Sequence, residues 1–391
     1  GEKAAGWTAT IQFDVEGVGS HTVAAVDGEA SYQRGAADDP DGTVTFDSAE
    51  TLLKMAAGRL NPEKAFMSGK VEADNMKVLM SFGKYFDLEA AAGAVEGGVE
   101  AEESAAQRGE GLNDEMVGEV WRGSARFVEQ DEIVAYAEAT ENDNPAHKPN
   151  GELIAPPLYP VRIFHPLLEE VLTDERLNLD LLKMVHGEQD MRFHQPLRPK
   201  DLVAPRAEIT EIREVSSGEL VTVHFRLMRR GELVVEADTV LFVKSGGGDG
   251  SSESNREDEE PAEGRDLVHE AAQPVAADQP DRYAEASGDH NPIHLDDQVA
   301  ESAGLPGVIL HGLCTMAFAS NAVVDGICEG NVRRLKRLKV RFSKPVFPGQ
   351  TVTTQIWEES SGDQRAIYGL EAVNDEGEAV LEQGVAEVTV D

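Results

Sequence analysis

The stretch "YAEASGDHNPIH", residues 283–294, gathers a carboxylate, an amide, a proline and two histidines within a dozen positions. The chain has already carried nearly the same phrase once, as "YAEATENDNPAH" at residues 136–147. A second landmark recurs with it: "MRFHQPLRPKDLV" (191–203) corresponds to "VRFSKPVFPGQTV" (340–352). The offset is 147 residues at the first landmark and 149 at the second, so the chain between them grows by only two residues from copy to copy. Self-similarity at this spacing marks a duplicated structural unit. Each copy runs a short helix, an Asn-Pro turn, a longer apolar segment and then alternating strands such as "LVTVHFRLMRRGELVVEADTVLFV" (220–243), whose period of two belongs to half-buried strands. That succession predicts a curved antiparallel sheet wrapped around one long helix, built twice and packed as a pseudo-dimer, sheet beside sheet.

The second copy places its polar residues in a definite order. Pro280 suits the first turn of a helix running through Ser287, and Gly288 supplies the tolerant backbone at its end. Asp289 is then released as the chain turns, and Asn291-Pro292 sets an extended segment that returns His294 beside it. A carboxylate and an imidazole so placed hold one water between them. One group accepts a proton while the other donates, which is what adding water across a double bond requires. The first copy has Asn142 at the position of Asp289, Glu141 in place of Gly288, and nothing like "HG" in "APPLYPVRIF" (155–164). An amide has no useful titration near neutrality, so the first copy reads as an emptied site and His147 as a structural histidine.

Composition narrows the partners. The 35 basic residues against 73 acidic ones give a formal charge of −38, spread along the chain, and such a surface repels nucleic acid and anionic membrane. Cys314 and Cys328 form neither a CxxC pair nor a disulfide framework, which suits a reducing compartment and points to no metal. The most apolar stretch, residues 305–324, is interrupted by His311, Ser320 and Asn321 and reads as a buried central helix, not a membrane span. The chain opens without a methionine or a signal pattern, which leaves room for sequence upstream of Gly1. One basic run stands against the acidic background: "RRLKRLKVRF" (333–342). As a strand it turns Leu338, Val340 and Phe342 one way and Arg337, Lys339 and Arg341 the other, giving a core side and a side suited to phosphate.

Two Gly-, Ser- and Glu-rich stretches read as linkers. They divide the chain into an amino-terminal domain (1–92), a linker (93–112), the first repeat (113–244), an acidic disordered linker (245–265) and the second repeat (266–391). In the amino-terminal domain Ile11, Phe13 and Val15, and again Val44 and Phe46, alternate as strands do. Asp47 with Glu50 makes a capping box for a helix stopped at Gly58, and Asn61-Pro62 opens a second short helix.

Two family resemblances follow from these residues. Residues 7–88, most specifically "GRLNPEKAFMSGKV", resemble the sterol carrier protein type 2 family, which implies a five-stranded sheet with helices over a lipid-sized tunnel and no catalysis. The phrase "SGDHNPIH", followed by "LPGVILHGLCTMAF" and "KVRFSKPVFPG", resembles the MaoC-like enoyl-CoA hydratase 2 family, including the hydratase part of multifunctional enzyme type 2. The fold implied is α+β, a sterol-carrier-like α/β domain followed by a double hot-dog. The activity implied is hydration of a trans-2-enoyl-CoA to a (3R)-3-hydroxyacyl-CoA, with Asp289 and His294 as the catalytic pair, Asn291 orienting them and the Gly312 amide stabilising the thioester enolate. No cofactor is implied beyond the coenzyme A of the substrate, whose phosphates Arg337, Lys339 and Arg341 would meet. The first repeat, with its Pro-broken segment 153–168, would house the acyl tail. Lipid is the partner expected of the amino-terminal domain, a homodimer and an upstream dehydrogenase domain are compatible with the family, and the location implied is the cytoplasm, or the peroxisome of a eukaryote. A non-catalytic acyl-CoA or sterol carrier, a dehydratase working in reverse and a hot-dog thioesterase are the alternatives.

Overall fold

The computed structural model describes residues 8–74, apart from 17, 27–28, 57–64 and 66–68, then residues 111–149, 152–244 and 265–390. Both expected linkers, and the helix expected at Asn61-Pro62, fall largely or wholly outside the described residues. The chain forms two compact units.

The amino-terminal unit carries β1 (Ala9–Val15), β2 (Gly19–Val26), β3 (Glu29–Arg34), β4 (Gly42–Phe46), the helix α1 (Ala49–Ala56) and β5 (Val71–Ala73). They form the expected five-stranded sheet in the order β3-β2-β1-β4-β5, with β1 parallel to β4 and the other pairs antiparallel. Alternation along β1 and β4 buries Ile11, Val15, Val44 and Phe46 with Met55 and Val71, and each such side chain contributes roughly 1.5–3 kcal/mol by leaving water. The cap of α1 differs from the expectation: Ser48 Oγ, not Asp47, accepts the Thr51 amide at 3.2 Å. Asp47 instead takes the Thr51 hydroxyl.

The second unit holds both repeats. The first repeat runs β6 (Val120–Arg122), β7 (Arg126–Phe127), α2 (Gln130–Ala139), α3 (Pro160–Leu172), β8 (Met184–Phe193), β9 (Leu202–Val215), β10 (Gly218–Arg229) and β11 (Glu232–Lys244). The second runs β12 (Leu267–Pro274), α4 (Gln279–Ser287), α5 (Asp297–Ser302), α6 (Gly312–Gly326), β13 (Leu335–Phe342), β14 (Thr351–Ser361), β15 (Arg365–Val373) and β16 (Ala379–Thr389). All the strands join one eleven-stranded antiparallel sheet in the order β12-β14-β15-β16-β13-β8-β11-β10-β9-β6, with β7 also on β9. This is the double hot-dog, and the repeats meet where β13 hydrogen-bonds to β8.

That seam obeys the internal repeat. Its register pairs Arg337 with Arg192, Lys339 with Asp190, and Arg341 with Glu188. With the repeat offset of 149, Arg337 is equivalent to Glu188 and Arg341 to Arg192, so the register is symmetric about the Lys339–Asp190 pair. The basic side of β13 is therefore used inside the sheet. Arg337 donates to both oxygens of Asp190 at 2.9 and 2.7 Å and to Glu387 at 3.1 Å, and Lys339 sits 3.0 Å from Glu188. The face expected to meet coenzyme A phosphates is occupied, at Arg337 and Lys339, by carboxylates of the neighbouring strands. In so acidic a chain the nearest anions to these two cations are its own carboxylates.

The central helices differ between repeats. α6 is buried nearly all round, from Cys314 to Val324. α3 begins at Pro160, where a missing amide costs nothing, and continues through Pro166 without breaking. The interrupted segment expected at 153–168 is thus loop up to Tyr159 and helix beyond it. Its buried face of Val161, Ile163, Phe164, Leu167 and Val171 packs on the sheet, with Phe164 5.0 Å from Phe225, and this burial outweighs the one hydrogen bond that Pro166 cannot make. Among the described residues no helix is long and apolar enough to cross a membrane.

Candidate active site

The turn after α4 is shaped by its glycine. Gly288 takes φ +83° and returns its amide to Ala284 O at 2.8 Å. The chain therefore stops being helical at the residue before Asp289, whose own amide is held by Ser287 Oγ at 3.1 Å. Asn291 lies in the turn that follows, and a single 3-10 turn, Pro292–His294, brings the imidazole back. Asp289 and His294 are thus placed together, with a third group that sequence reading noticed only as an interruption of an apolar stretch: His311, the residue that caps α6. One ligand atom from each of the three lies within 4.8 Å of the others.

Hydrogen bonding settles which nitrogens carry protons. His294 Nδ1 faces Ile309 O at 2.8 Å; a carbonyl only accepts, so Nδ1 donates and Nε2 of the neutral ring is left as an acceptor. His311 Nε2 likewise donates to Asp289 O at 2.9 Å, and its buried Nδ1 has no hydrogen-bond partner among the described residues. The two rings stack, with centroids 3.8 Å apart and planes at 25°, and Tyr283 covers His311 at 4.9 Å. Burial lowers the pKa of His294 below the ordinary histidine value against the pull of Asp289. His311 is lowered to about 3, by burial first and by the neighbouring His294 second. Both rings are neutral acceptors at neutral pH. The three groups form one cluster of acceptors, with the two rings held face to face. Two acceptors bridged by one water, at about 2.8 Å each, stand roughly 4.6 Å apart, and three groups with atoms within 4.8 Å of one another fall within reach of such a water.

Gly312 opens α6 directly after His311. The first amides of a helix have no partner within it and carry the positive end of its dipole. A Cβ on Gly312 would stand 3.0 Å from Phe342 Cδ1, so the glycine keeps this approach narrow but open. Arg337 and Lys339, engaged in the seam, belong to the sheet and not to this cluster.

The first repeat contributes two histidines that nothing in its local sequence marks. His186 of β8 packs on Phe342 at 4.7 Å and bonds Gln189 at 3.1 Å. Its pKa is pushed down to about 4 by burial, while the Asp289 charge acts to raise it. His165 of α3 reaches the glycine turn itself, its Cδ2 lying 3.9 Å from where a Gly288 Cβ would be.

The corresponding turn of the first repeat keeps the backbone and loses the carboxylate. Glu141 adopts the left-handed φ of +51° that Gly288 takes freely, at a cost of roughly 1–2 kcal/mol, and Arg282 of the second repeat fixes its carboxylate at 2.6 Å. Asn142 donates to Asn321 Oδ1 at 2.7 Å and accepts from the Asn144 amide at 3.0 Å. His147 Nδ1 donates to Ile154 O at 2.7 Å, the same bond that orients His294.

A duplicated hot-dog with one polar cluster retained and one emptied defines the class: a double hot-dog protein with an asymmetric site. Comparison with known proteins gives the family. Residues 258–378 match the MaoC like domain, residues 115–237 the FAS1-like dehydratase domain region, and residues 1–87 the SCP-2 sterol transfer family. The chain is 33% identical over 228 residues to 3-hydroxyacyl-thioester dehydratase Y of Mycobacterium tuberculosis, covering 52% of this chain and 72% of that protein. It is 32% identical over 209 residues to mouse peroxisomal multifunctional enzyme type 2, covering 52% of this chain but only 28% of that longer protein. The crystal structure of a MaoC-like dehydratase from Phytophthora capsici superposes with a TM-score of 0.62 at 25% identity, covering 71% of this chain and 98% of that one. The chain belongs to the MaoC-like hydratase/dehydratase family, with an SCP-2 domain preceding the double hot-dog.

Proposed function

We propose that the second repeat hydrates a trans-2-enoyl thioester of coenzyme A to the (3R)-3-hydroxyacyl thioester. The observation that carries this reading is the convergence of acceptors: the Asp289 carboxylate and the neutral rings of His294 and His311, two of them oriented by bonds to backbone carbonyls. A water between such acceptors supplies two donors. Held between Asp289 and His294, that water presents its lone pair to C3. Its O–H bond breaks towards one of the two acceptors as the C3–O bond forms, the C2=C3 π pair moves onto the thioester, and the captured proton is returned to C2. No electrons are gained or lost. The amide at Gly312 stabilises negative charge on the thioester oxygen, a contribution worth ~10²-fold or more in rate in comparable oxyanion holes. Asn291 is retained as the residue that orients the pair. By microscopic reversibility the same groups dehydrate a 3-hydroxyacyl thioester, the activity named for the mycobacterial relative.

The first repeat, whose polar residues are bonded to one another and to α6, is assigned the acyl tail. The SCP-2 domain is assigned lipid binding, which raises the local concentration of acyl chains near the hydratase.

Following loss of the 2-enoyl thioester absorbance with medium- and long-chain substrates, and resolving product stereochemistry, tests the reading. Asp289→Asn is expected to lower turnover by ~10²-fold or more with the fold retained. Gly312→Ala, which crowds Phe342, is expected to lower kcat by about tenfold or more, with partial recovery on adding Phe342→Leu. Acyl-CoA binding without any turnover by the wild type would reduce the protein to a carrier.

A further inference from the structure

Each central helix crosses to the polar turn of the opposite repeat, and the two crossings differ in kind. At the emptied turn α6 delivers an amide: Asn321 accepts from Asn142 at 2.7 Å and donates to Thr140 O at 2.9 Å. At the intact turn α3 delivers an imidazole. Arg162 anchors that helix by donating to Ala286 O at 2.7 Å and Glu285 O at 3.1 Å, the carboxyl end of α4, and to Glu132 at 3.1 Å. Three residues on, His165 lies against Gly288, with its Nε2 3.6 Å from Glu169 Oε1. That distance makes an ion pair and not a hydrogen bond, and the buried Nε2 has no hydrogen-bond partner among the described residues. A neutral partner accompanies the amide, and an ionisable one accompanies the carboxylate.

We propose that His165, carried by the repeat that has lost its own carboxylate, is a positioning residue for Asp289: a protonated imidazole beside the glycine turn that keeps the carboxylate ionised and held for its part in catalysis. The proposal rests on the assignment of Asp289 as an acceptor in the hydration site. The charged and titratable groups around the pair come from four directions. Asp289 has His165 from α3, His186 from β8, His311 from the start of α6, and Tyr283 and His294 from its own segment. His165 has Glu169 on its own helix, Asp289, and the neighbouring His311. His186, His294 and His311 are all held neutral by burial. Burial opposes protonation of His165 too, but Glu169 and Asp289 together raise it above the ordinary histidine value. His165 is thus the histidine of the group that is moved towards the charged form, and Glu169, 3.6 Å from its Nε2, is the acidic neighbour on its own helix.

Two measurements on the full chain decide this independently. Histidine ring resonances are titrated by NMR in wild type and Asp289→Asn, with His165→Gln assigning the signal. A fall in the His165 pKa on removing the Asp289 charge is expected, and an unmoved titration overturns the proposal even if the protein proves to have no hydratase activity. In turnover assays, His165→Gln is expected to move the acid limb of kcat/KM up by roughly one pH unit, Glu169→Gln to move it in the same direction by less, and His165→Lys to restore it. A rate lowered equally at every pH by His165→Gln, with no restoration by lysine, makes the residue merely structural and rejects the proposal. Failure of the wild type to turn over any enoyl thioester is a separate result that removes the hydratase assignment.

Discussion

The hydroxyls of Tyr136 and Tyr283 meet at 3.2 Å, and the two residues occupy the same position of the two repeats, 147 residues apart. Both are fully buried, with rings in an edge-on contact at 5.8 Å. A residue that touches its own repeat equivalent lies on the pseudo-twofold axis. Each hydroxyl is the hydrogen-bond partner of the other, so deleting one strands the second. Tyr136→Phe or Tyr283→Phe is expected to cost about 1–3 kcal/mol, and the double substitution distinctly less than the sum. A double-mutant cycle by denaturant unfolding of the full chain measures the coupling, and strict additivity would contradict the arrangement.

Restoring the missing carboxylate to the first repeat is not expected to create a second site. Asn142 donates its amide to Asn321 Oδ1, and Asn321 is itself committed to Thr140 O. Asn142→Asp turns that donor into an oxygen facing an oxygen in a buried place. A loss of about 1–3 kcal/mol in stability, with no second phase of turnover, is the expected outcome.

The seam makes a separable prediction for Arg337. Its partner Asp190 is 8% exposed, so removing the guanidinium leaves a nearly buried carboxylate with Arg192, at 2.9 Å, as its remaining cation among the described residues. Arg337→Gln is expected to destabilise the protein by roughly 2–4 kcal/mol while leaving KM for an acyl-CoA close to the wild-type value. A raised KM at unchanged thermal midpoint would return the residue to phosphate binding.

The buried histidines set a pH dependence. His186, with its pKa pushed to about 4, stays neutral in the folded chain where the unfolded chain would take up a proton near pH 6.5. The unfolded state therefore binds more protons as pH falls below 6.5, and stability drops with it, by at most about 1.4 kcal/mol per pH unit for one such group. His294 and His311 act in the same direction. His165, raised instead, has the opposite sign and loses its contribution as pH rises through its folded pKa. Comparing unfolding free energies between pH 7 and pH 5 in wild type and His186→Gln isolates one group. The variant is expected to show a shallower loss.

Much of this architecture is written locally. The duplicated phrase, its Asn-Pro turn and the alternating strands specify two hot-dog units, because each signal is a short-range preference of backbone or of burial. Asp289 and His294 were legible as a pair for the same reason: five residues and a glycine turn separate them, so local geometry alone brings them together. The offset of 149 even contains the seam, since a symmetric register is what two equivalent strands adopt across a twofold axis.

What only the tertiary structure decided is who else attends the site and which charges are spent elsewhere. His311 joins Asp289 because α6 starts where the returning chain ends, and His165 and His186 arrive from the other repeat, more than a hundred residues upstream. The basic run of β13 reads from the sequence as a phosphate surface, and only β8 laid beside it shows Asp190 and Glu188 as ion-pair partners of Arg337 and Lys339. Local sequence sets the conformation of a segment, but burial and charge pairing depend on which distant segment is packed against it. That is why the acceptors of this site were partly legible in the chain and their electrostatic surroundings were not.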